Sequence, residues 1–252
     1  TANTATATIN STTGVVTGVA AGTTTMTYTV TNANGCTSSV STALVVNAIP
    51  QVAAISGTTE VCVGLTTALA NATASGVWTS SNTAVATIDA SGVVTGVAAG
   101  STTITYTVTT NGCTANAQAV VNVNALPTLA AIGGTMNACI GSSTILTNTT
   151  SGGVWTTSNA AVATVNTITG NVTGVTAGTA TITYTYTNSN GCTSAVSTTV
   201  TINALPVVAA ITGTTSVCEG ATTTLASTTT GGVWSTANTA TATINSTTGV
   251  VT

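Results

Sequence analysis

Three tryptophans, Trp78, Trp155 and Trp234, recur at nearly equal intervals (155 − 78 = 77 and 234 − 155 = 79), and the other rare residues keep the same two steps. Pro50, Pro127 and Pro206 do so, as do Cys62, Cys139 and Cys218, and again Cys36, Cys113 and Cys192. A period of about 78 residues is that of a small domain in tandem array, so each copy must close a core of its own. The segment Thr1 to Thr17 is identical to Thr236 to Thr252, an offset of 236 − 1 = 235, or three copies. The sequence reads as a window on a longer array. Complete copies fall at 50–126 and 127–205, flanked by the C-terminal part of a copy at 1–49 and the N-terminal part of one at 206–252. The window shows no initiator Met, no signal-peptide pattern and no run of roughly 18 apolar residues, so an export signal or anchor is expected outside it.

Charge removes several function classes at once. There is no Lys, Arg or His, and only three carboxylates in 252 residues. Nothing can neutralise phosphate, so nucleic acid and anionic lipid are not expected partners. The mean hydropathy of +0.54 comes from Ala and Val interleaved with Thr, which describes a hydroxyl-covered surface and no membrane insertion in this window. A net charge of −3 gives weak self-repulsion, which favours lateral self-association.

The local pattern is β throughout. Ile104, Tyr106 and Val108 alternate with Thr103, Thr105, Thr107 and Thr109, a period of two that puts apolar groups on one face. Met26, Tyr28 and Val30 keep the same phase, as do Ile182, Tyr184 and Tyr186. In copy 50–126 this places seven strands near 52–56, 65–72, 76–80, 84–88, 92–97, 102–109 and 114–123. Seven short antiparallel strands with a Trp on the third describe an immunoglobulin-like β-sandwich, so the fold class is all-β, in tandem sandwiches of about 78 residues. Trp78, Trp155, Trp234, Tyr28, Tyr106 and Tyr184 are expected in the cores. Asn111-Gly112, with Asn34-Gly35 and Asn190-Gly191, should turn the last hairpin of each copy.

The run GVWTSSNTAVATIDASGVVTGVAAGSTTITYTV, Gly76 to Val108, resembles the bacterial Ig-like repeats of the group 2 type, which stand in tandem in large secreted or cell-surface proteins. The resemblance covers every copy, and the series WxxxN, then VAT, GxVTGV, AG and TITYT, carries it. The Cys before the second strand and the NGCT turn are similar to variants in Bacteroidota. The resemblance implies an extracellular rod or stalk and no catalytic residue.

A search for reactive groups leads to the same place. Without His or Lys, general acid/base chemistry falls to Glu60, Asp89 and Glu219. None recurs between copies: Glu60 aligns with Asn137 and Ser216, Asp89 with Asn10, Asn166 and Asn245, and Glu219 with Val63 and Ile140. A calcium site shared by the copies would need recurring carboxylates. No enzyme activity, metal or cofactor is expected. Sequons stand at Asn10, Asn71, Asn148, Asn171 and Asn245, which makes glycans candidate partners.

The six cysteines, Cys36, Cys62, Cys113, Cys139, Cys192 and Cys218, carry the remaining chemistry. Two per copy in a secreted chain read as structural disulfides. Within one copy the pairs would be Cys62 with Cys113 and Cys139 with Cys192. Strand two and strand six run in the same direction, which puts Cys62 and Cys113 at opposite poles, roughly 25 Å apart, beyond the ~7 Å that a disulfide allows. The preferred scheme therefore crosses a junction and pairs Cys62 with Cys192, and the intradomain pairs stand as the alternative. Under the preferred scheme Cys139 and Cys218 find hairpins beyond residue 252, and Cys36 and Cys113 find partners before residue 1.

Copies are joined by VNAIP (46–50), VNALP (123–127) and INALP (202–206), short and stiffened by Pro. The expected function is a structural component of an extracellular filament or stalk, its partners being further copies of the same repeat. The alternatives are an adhesin whose repeats bind a surface directly and a Thr-rich ice-binding array.

Overall fold

The computed structural model describes residues 4–252, so Thr1 to Asn3 of the partial copy 1–49 lie outside the described residues. Every regular element among the described residues is a strand. Two compact units are present, Thr1–Ala130 with Thr185–Ala195, and Ala131–Tyr184 with Val196–Thr252.

In the first unit β1 (Ala7–Ile9) pairs with β2 (Val16–Gly18), and β3 (Gly22–Thr31) pairs along its length with β4 (Thr37–Val46). The next eight strands are β5 (Ser56–Gly57), β6 (Glu60–Cys62), β7 (Thr66–Ala70), β8 (Val77–Ser80), β9 (Ala86–Ile88), β10 (Val93–Gly96), β11 (Gly100–Thr110) and β12 (Cys113–Asn124). They form two four-stranded sheets, ordered β5-β7-β10-β9 and β6-β12-β11-β8. All neighbours in these sheets are antiparallel except β6, which runs parallel to β12. The core lies between the sheets: Leu69, Ala86 and Val94 come from one, and Val61, Ile104, Val121 and Val123 from the other. Each larger aliphatic side chain so buried contributes roughly 1.5–3 kcal/mol.

The second unit repeats the plan. Its strands are β13 (Gly133–Gly134), β14 (Asn137–Cys139), β15 (Ser143–Thr147), β16 (Val154–Thr157), β17 (Ala163–Val165), β18 (Asn171–Gly174), β19 (Gly178–Thr187) and β20 (Thr193–Asn203). The sheets are β13-β15-β18-β17 and β14-β20-β19-β16, with Leu146, Val172, Ile182, Val200 and Ile202 fully buried. The tip of the β19–β20 hairpin, 185–195, belongs to the first unit. Residues 206–252 supply only β21 (Thr212–Gly213), β22 (Thr223–Ala226) and β23 (Val250–Val251), one three-stranded sheet.

Several details correct the expected strands. The first strand is Ser56–Gly57 in place of 52–56, and an additional strand, β6, ends at Cys62. Three residues paired in parallel at a sheet edge leave no alternation to read. The NG turns also differ. At Asn111-Gly112 both residues have positive φ, 50° and 81°, joining Thr110 to Cys113 in a two-residue turn. In the flanking copies the connection is a five-residue loop, Asn32 to Cys36 and Asn188 to Cys192. There the side-chain oxygen of the first Asn accepts bonds from the backbone of the third and fifth residues, at 3.0 Å each.

The expected core aromatics divide. Tyr106 and Tyr184 are buried, and Trp155 is buried at 3% exposure. Trp78 is half-buried, yet its ring lies 4.6 Å from that of Tyr106, as does Trp155 from Tyr184. Tyr28 is 70% exposed and Trp234 half-buried. Correct phase on a strand is not burial: of the residues in phase on β3, Met26 is buried while Tyr28 and Val30 are exposed.

Candidate functional site

The chemistry of the described residues concentrates at the end of β6 and β12. Register pairs Asn122 with Glu60, Val123 with Val61 and Asn124 with Cys62, which brings Cys62 to the last residue of β12. Against this edge lies the loop Asn188–Cys192. Cys62 and Cys192 are joined by a disulfide with Cα atoms 5.6 Å apart, and Cys192 is fully buried. Neither Cys62–Cys113 nor Cys139–Cys192 forms, and Cys36, Cys113, Cys139 and Cys218 are free thiols.

A chain of amides holds the loop over the bond. The Glu60 carboxylate accepts Asn122 Nδ2 at 2.7 Å through one oxygen and Asn124 Nδ2 at 2.8 Å through the other. Asn124 Oδ1 accepts Asn190 Nδ2 at 3.2 Å, and Asn188 Nδ2 donates to the Ala125 carbonyl at 3.2 Å. Glu60 is exposed, and the Asn122 amide, followed by that of Asn124, holds its pKa below the ordinary value. These Asn residues are the signal that sequence reasoning misses, since amides latch backbone without carrying charge.

The same seat recurs. Cys113 Sγ lies 3.7 Å from the Asn47 carbonyl, and Asn47 Nδ2 donates to the Asn111 carbonyl at 2.9 Å. Cys192 Sγ lies 3.8 Å from the Asn124 carbonyl in the corresponding place. In the second unit Cys139 is the register partner of Asn203, as Cys62 is of Asn124.

The remaining carboxylates have structural settings. Asp89 Oδ1 accepts the backbone N–H of Ser91 at 2.8 Å and of Val93 at 3.0 Å, and the Ser91 hydroxyl at 2.6 Å. The Ser91 hydroxyl, then the Val93 N–H, lowers the Asp89 pKa from its ordinary value. Asn10, Asn166 and Asn245 close the corresponding turns, each one residue longer, with their side-chain oxygens, so the position needs an acceptor and not a charge. Glu219 is exposed in a turn. No group of three His, Cys, Asp or Glu among the described residues is placed to hold a metal ion. Of the sequons, Asn71 has its amide engaged, donating to the Ala53 carbonyl at 2.6 Å. Asn10 and Asn245 are exposed, Asn171 is half-buried in β18, and Asn148 Oδ1 accepts the Thr150 N–H.

Two sheets facing across a common core, repeated along the chain, define a protein of tandem Ig-like sandwiches. The family model for the bacterial Ig-like domain (group 2) matches residues 44–121 and 142–197, together more than half of the chain. The chain belongs to that family.

Curated proteins gave no match. Among solved structures, the chain is similar to a SusE-like surface located polysaccharide binding protein from the Bacteroides thetaiotaomicron heparin utilisation locus (17% identity, TM-score 0.38, covering 81% of this chain and 42% of that one). It is also similar to domains 1–6 of the surface layer protein SbsC (16%, 0.28, 87% and 40%) and to a C-terminal intimin fragment solved with the intimin-binding domain of its translocated receptor (14%, 0.33, 65% and 67%). The chain thus spans about two-fifths of the first two. No helix among the described residues is long and apolar enough to cross a membrane.

Proposed function

We propose that this chain is a section of a secreted, extracellular filament or stalk whose Ig-like copies supply length and stiffness. The observation that carries the reading is the Cys62–Cys192 bond. It fastens the edge strand of one copy to the hairpin loop of the next across a sequence separation of 130 residues. Bending at the intervening linker, 123–127, would pull that loop from its seat, which the disulfide and the Asn188–Ala125 and Asn190–Asn124 bonds oppose. A surface of Thr, Ser and Asn with almost no charge needs no counterion and responds little to salt.

The reading is tested on intact cells. An antibody against residues 50–205 is expected to decorate fibres leaving the surface, with an axial repeat of about 35–45 Å from strands of seven to eight residues plus a junction. Label confined to the cell interior would count against it.

A further inference from the structure

The disulfide between the complete copies passes over nearer partners. Along 50–205 the cysteines come in the order Cys62, Cys113, Cys139 and Cys192, and the bond joins the first to the last. In an unfolded chain the shortest loop closes most readily, and here that is Cys113 to Cys139, 139 − 113 = 26 residues against 130 for Cys62 to Cys192. A loop five times longer is disfavoured roughly tenfold by closure entropy. The folded copies must therefore select the observed pair.

Two features do so. The last strand of each copy holds that copy's own cysteines apart. Cys113 stands 124 − 113 = 11 steps along β12 from Asn124, the register partner of Cys62, and Cys192 stands 203 − 192 = 11 steps from Asn203, the register partner of Cys139. The second feature is the seat of the 188–192 loop. Asn188 Oδ1 gathers that loop by accepting the N–H groups of Asn190 and Cys192. Asn190 Nδ2 ties it to Asn124 Oδ1, Asn188 Nδ2 ties it to the Ala125 carbonyl, and the Asn124 carbonyl lies 3.8 Å from Cys192 Sγ. The amide bonds need no disulfide, and they set Cys192 beside the strand end that carries Cys62.

The two sulfur-bearing residues also differ in access. β6 is the outer strand of its sheet, and with the loop seated Cys62 keeps 8% of its surface exposed whereas Cys192 keeps none. Lifting the loop uncovers Cys62 at a sheet edge that stays paired on its other side.

We propose that the bond is made after the copies fold, with Cys62 as the thiol that meets the oxidant, Cys192 as the resolving thiol, and Asn188 and Asn190 as the positioning residues that deliver it. The Cys62 thiolate attacks a small-molecule disulfide such as oxidised glutathione. The bond between the two glutathione sulfurs breaks, one glutathione leaves as a thiolate and takes up a proton, and the other stays on Cys62. The Cys192 thiolate then attacks Cys62 Sγ and expels the second glutathione in the same way. Two cysteine thiols have lost two protons and two electrons, and one small disulfide has become two thiols. Seated by its amides, Cys192 acts at a high effective concentration, which outweighs the length of the loop. This order of events goes beyond the stalk reading, which concerns what a closed junction does and not how it closes.

The test uses the whole chain carrying Cys36→Ser and Cys218→Ser, so that only the cysteines of the complete copies remain. The folded, reduced chain is mixed with oxidised glutathione, quenched with acid at intervals and mapped by non-tryptic digestion. The expected result is a mixed disulfide on Cys62 that rises first and decays into Cys62–Cys192, whereas oxidation in urea gives Cys113–Cys139 as the most abundant pair. Adding Cys192→Ser should leave glutathione standing on Cys62. Asn190→Ala, melting with the parent when both are reduced, should slow the second step and not the first, by roughly two- to tenfold for the loss of one hydrogen bond. Glutathione arriving first on Cys192 overturns the proposal, as does the same pairing with and without urea, or an Asn190→Ala chain that closes as fast as the parent. None of these outcomes bears on the stalk reading, which the imaging of cells decides separately.

Discussion

Cys62 and Cys113 stand at opposite ends of β12: Cys62, on the neighbouring β6, is the register partner of its last residue, and Cys113 is its first. Eleven residue steps separate Cys113 from Asn124, about 36 Å at the usual rise, against the ~7 Å limit for a disulfide. Non-tryptic digestion without reductant is expected to yield a Cys62 peptide linked to Cys192 and none linked to Cys113. Closing 130 residues gives about 5 kcal/mol by chain entropy. Cys192→Ser should therefore lower the urea midpoint clearly; an unchanged midpoint would show that the bond constrains nothing.

Tyr106→Phe removes a hydroxyl that joins the Thr73 carbonyl to the Gly76 N–H. Leaving these groups without their partner is expected to cost about 1–3 kcal/mol. The measurement is urea unfolding followed by Trp78 fluorescence, with Trp155 and Trp234 replaced by Phe.

Gly76→Ala should be worse than Tyr106→Phe, because the new methyl overlaps the Tyr106 ring, and overpacking of this kind costs about 1–3 kcal/mol or more. The double variant Gly76→Ala with Tyr106→Ala should recover part of the loss attributable to the clash. Additive losses would place the strain elsewhere.

Acid should loosen the latch at Glu60. Its pKa, like that of Asp89, is depressed in the folded chain by hydrogen bonds to the ionised form. Such groups contribute stability above their unfolded pKa values and lose it as pH falls through the folded ones. The melting temperature should be flat from about pH 8 to 5 and fall only below about 4.5, the ordinary carboxylate range, with Glu60→Gln reducing the drop. A decline between pH 8 and 6 would contradict this, since no His is present to titrate there.

Chelation should change nothing. With no metal-holding group of three among the described residues, EDTA is expected to leave the melting temperature where it was, and a shift of several degrees would contradict the assignment. Trypsin should not cut the reduced, unfolded chain, which has neither Lys nor Arg.

What could be read in advance was whatever a repeating face or a forced backbone angle writes into the residues. Ile104, Tyr106 and Val108 alternate because one face of β11 is covered, and all three are buried. Asn111-Gly112 reads as a turn because few other pairs accept two positive φ values. The same dipeptide at 34–35 and 190–191 also sits in the hairpin connection, but there an Asn two residues earlier gathers a wider loop. Tyr28 has the phase of a core residue, but phase says nothing of whether an opposing sheet is present. The three residues of β6 carry no pattern, and the amides at 124, 188 and 190 are hidden because Asn is common everywhere in this chain.

The Cys62–Cys192 bond also alters how the chain would respond to a pull. Tension entering before Cys62 and leaving after Cys192 travels through two sulfur atoms across 5.6 Å of Cα separation. The 130 residue steps between them, about 440 Å of extensible contour, stay slack behind that shortcut. Under such a load the residues between the two cysteines lengthen only once a reductant cuts the link.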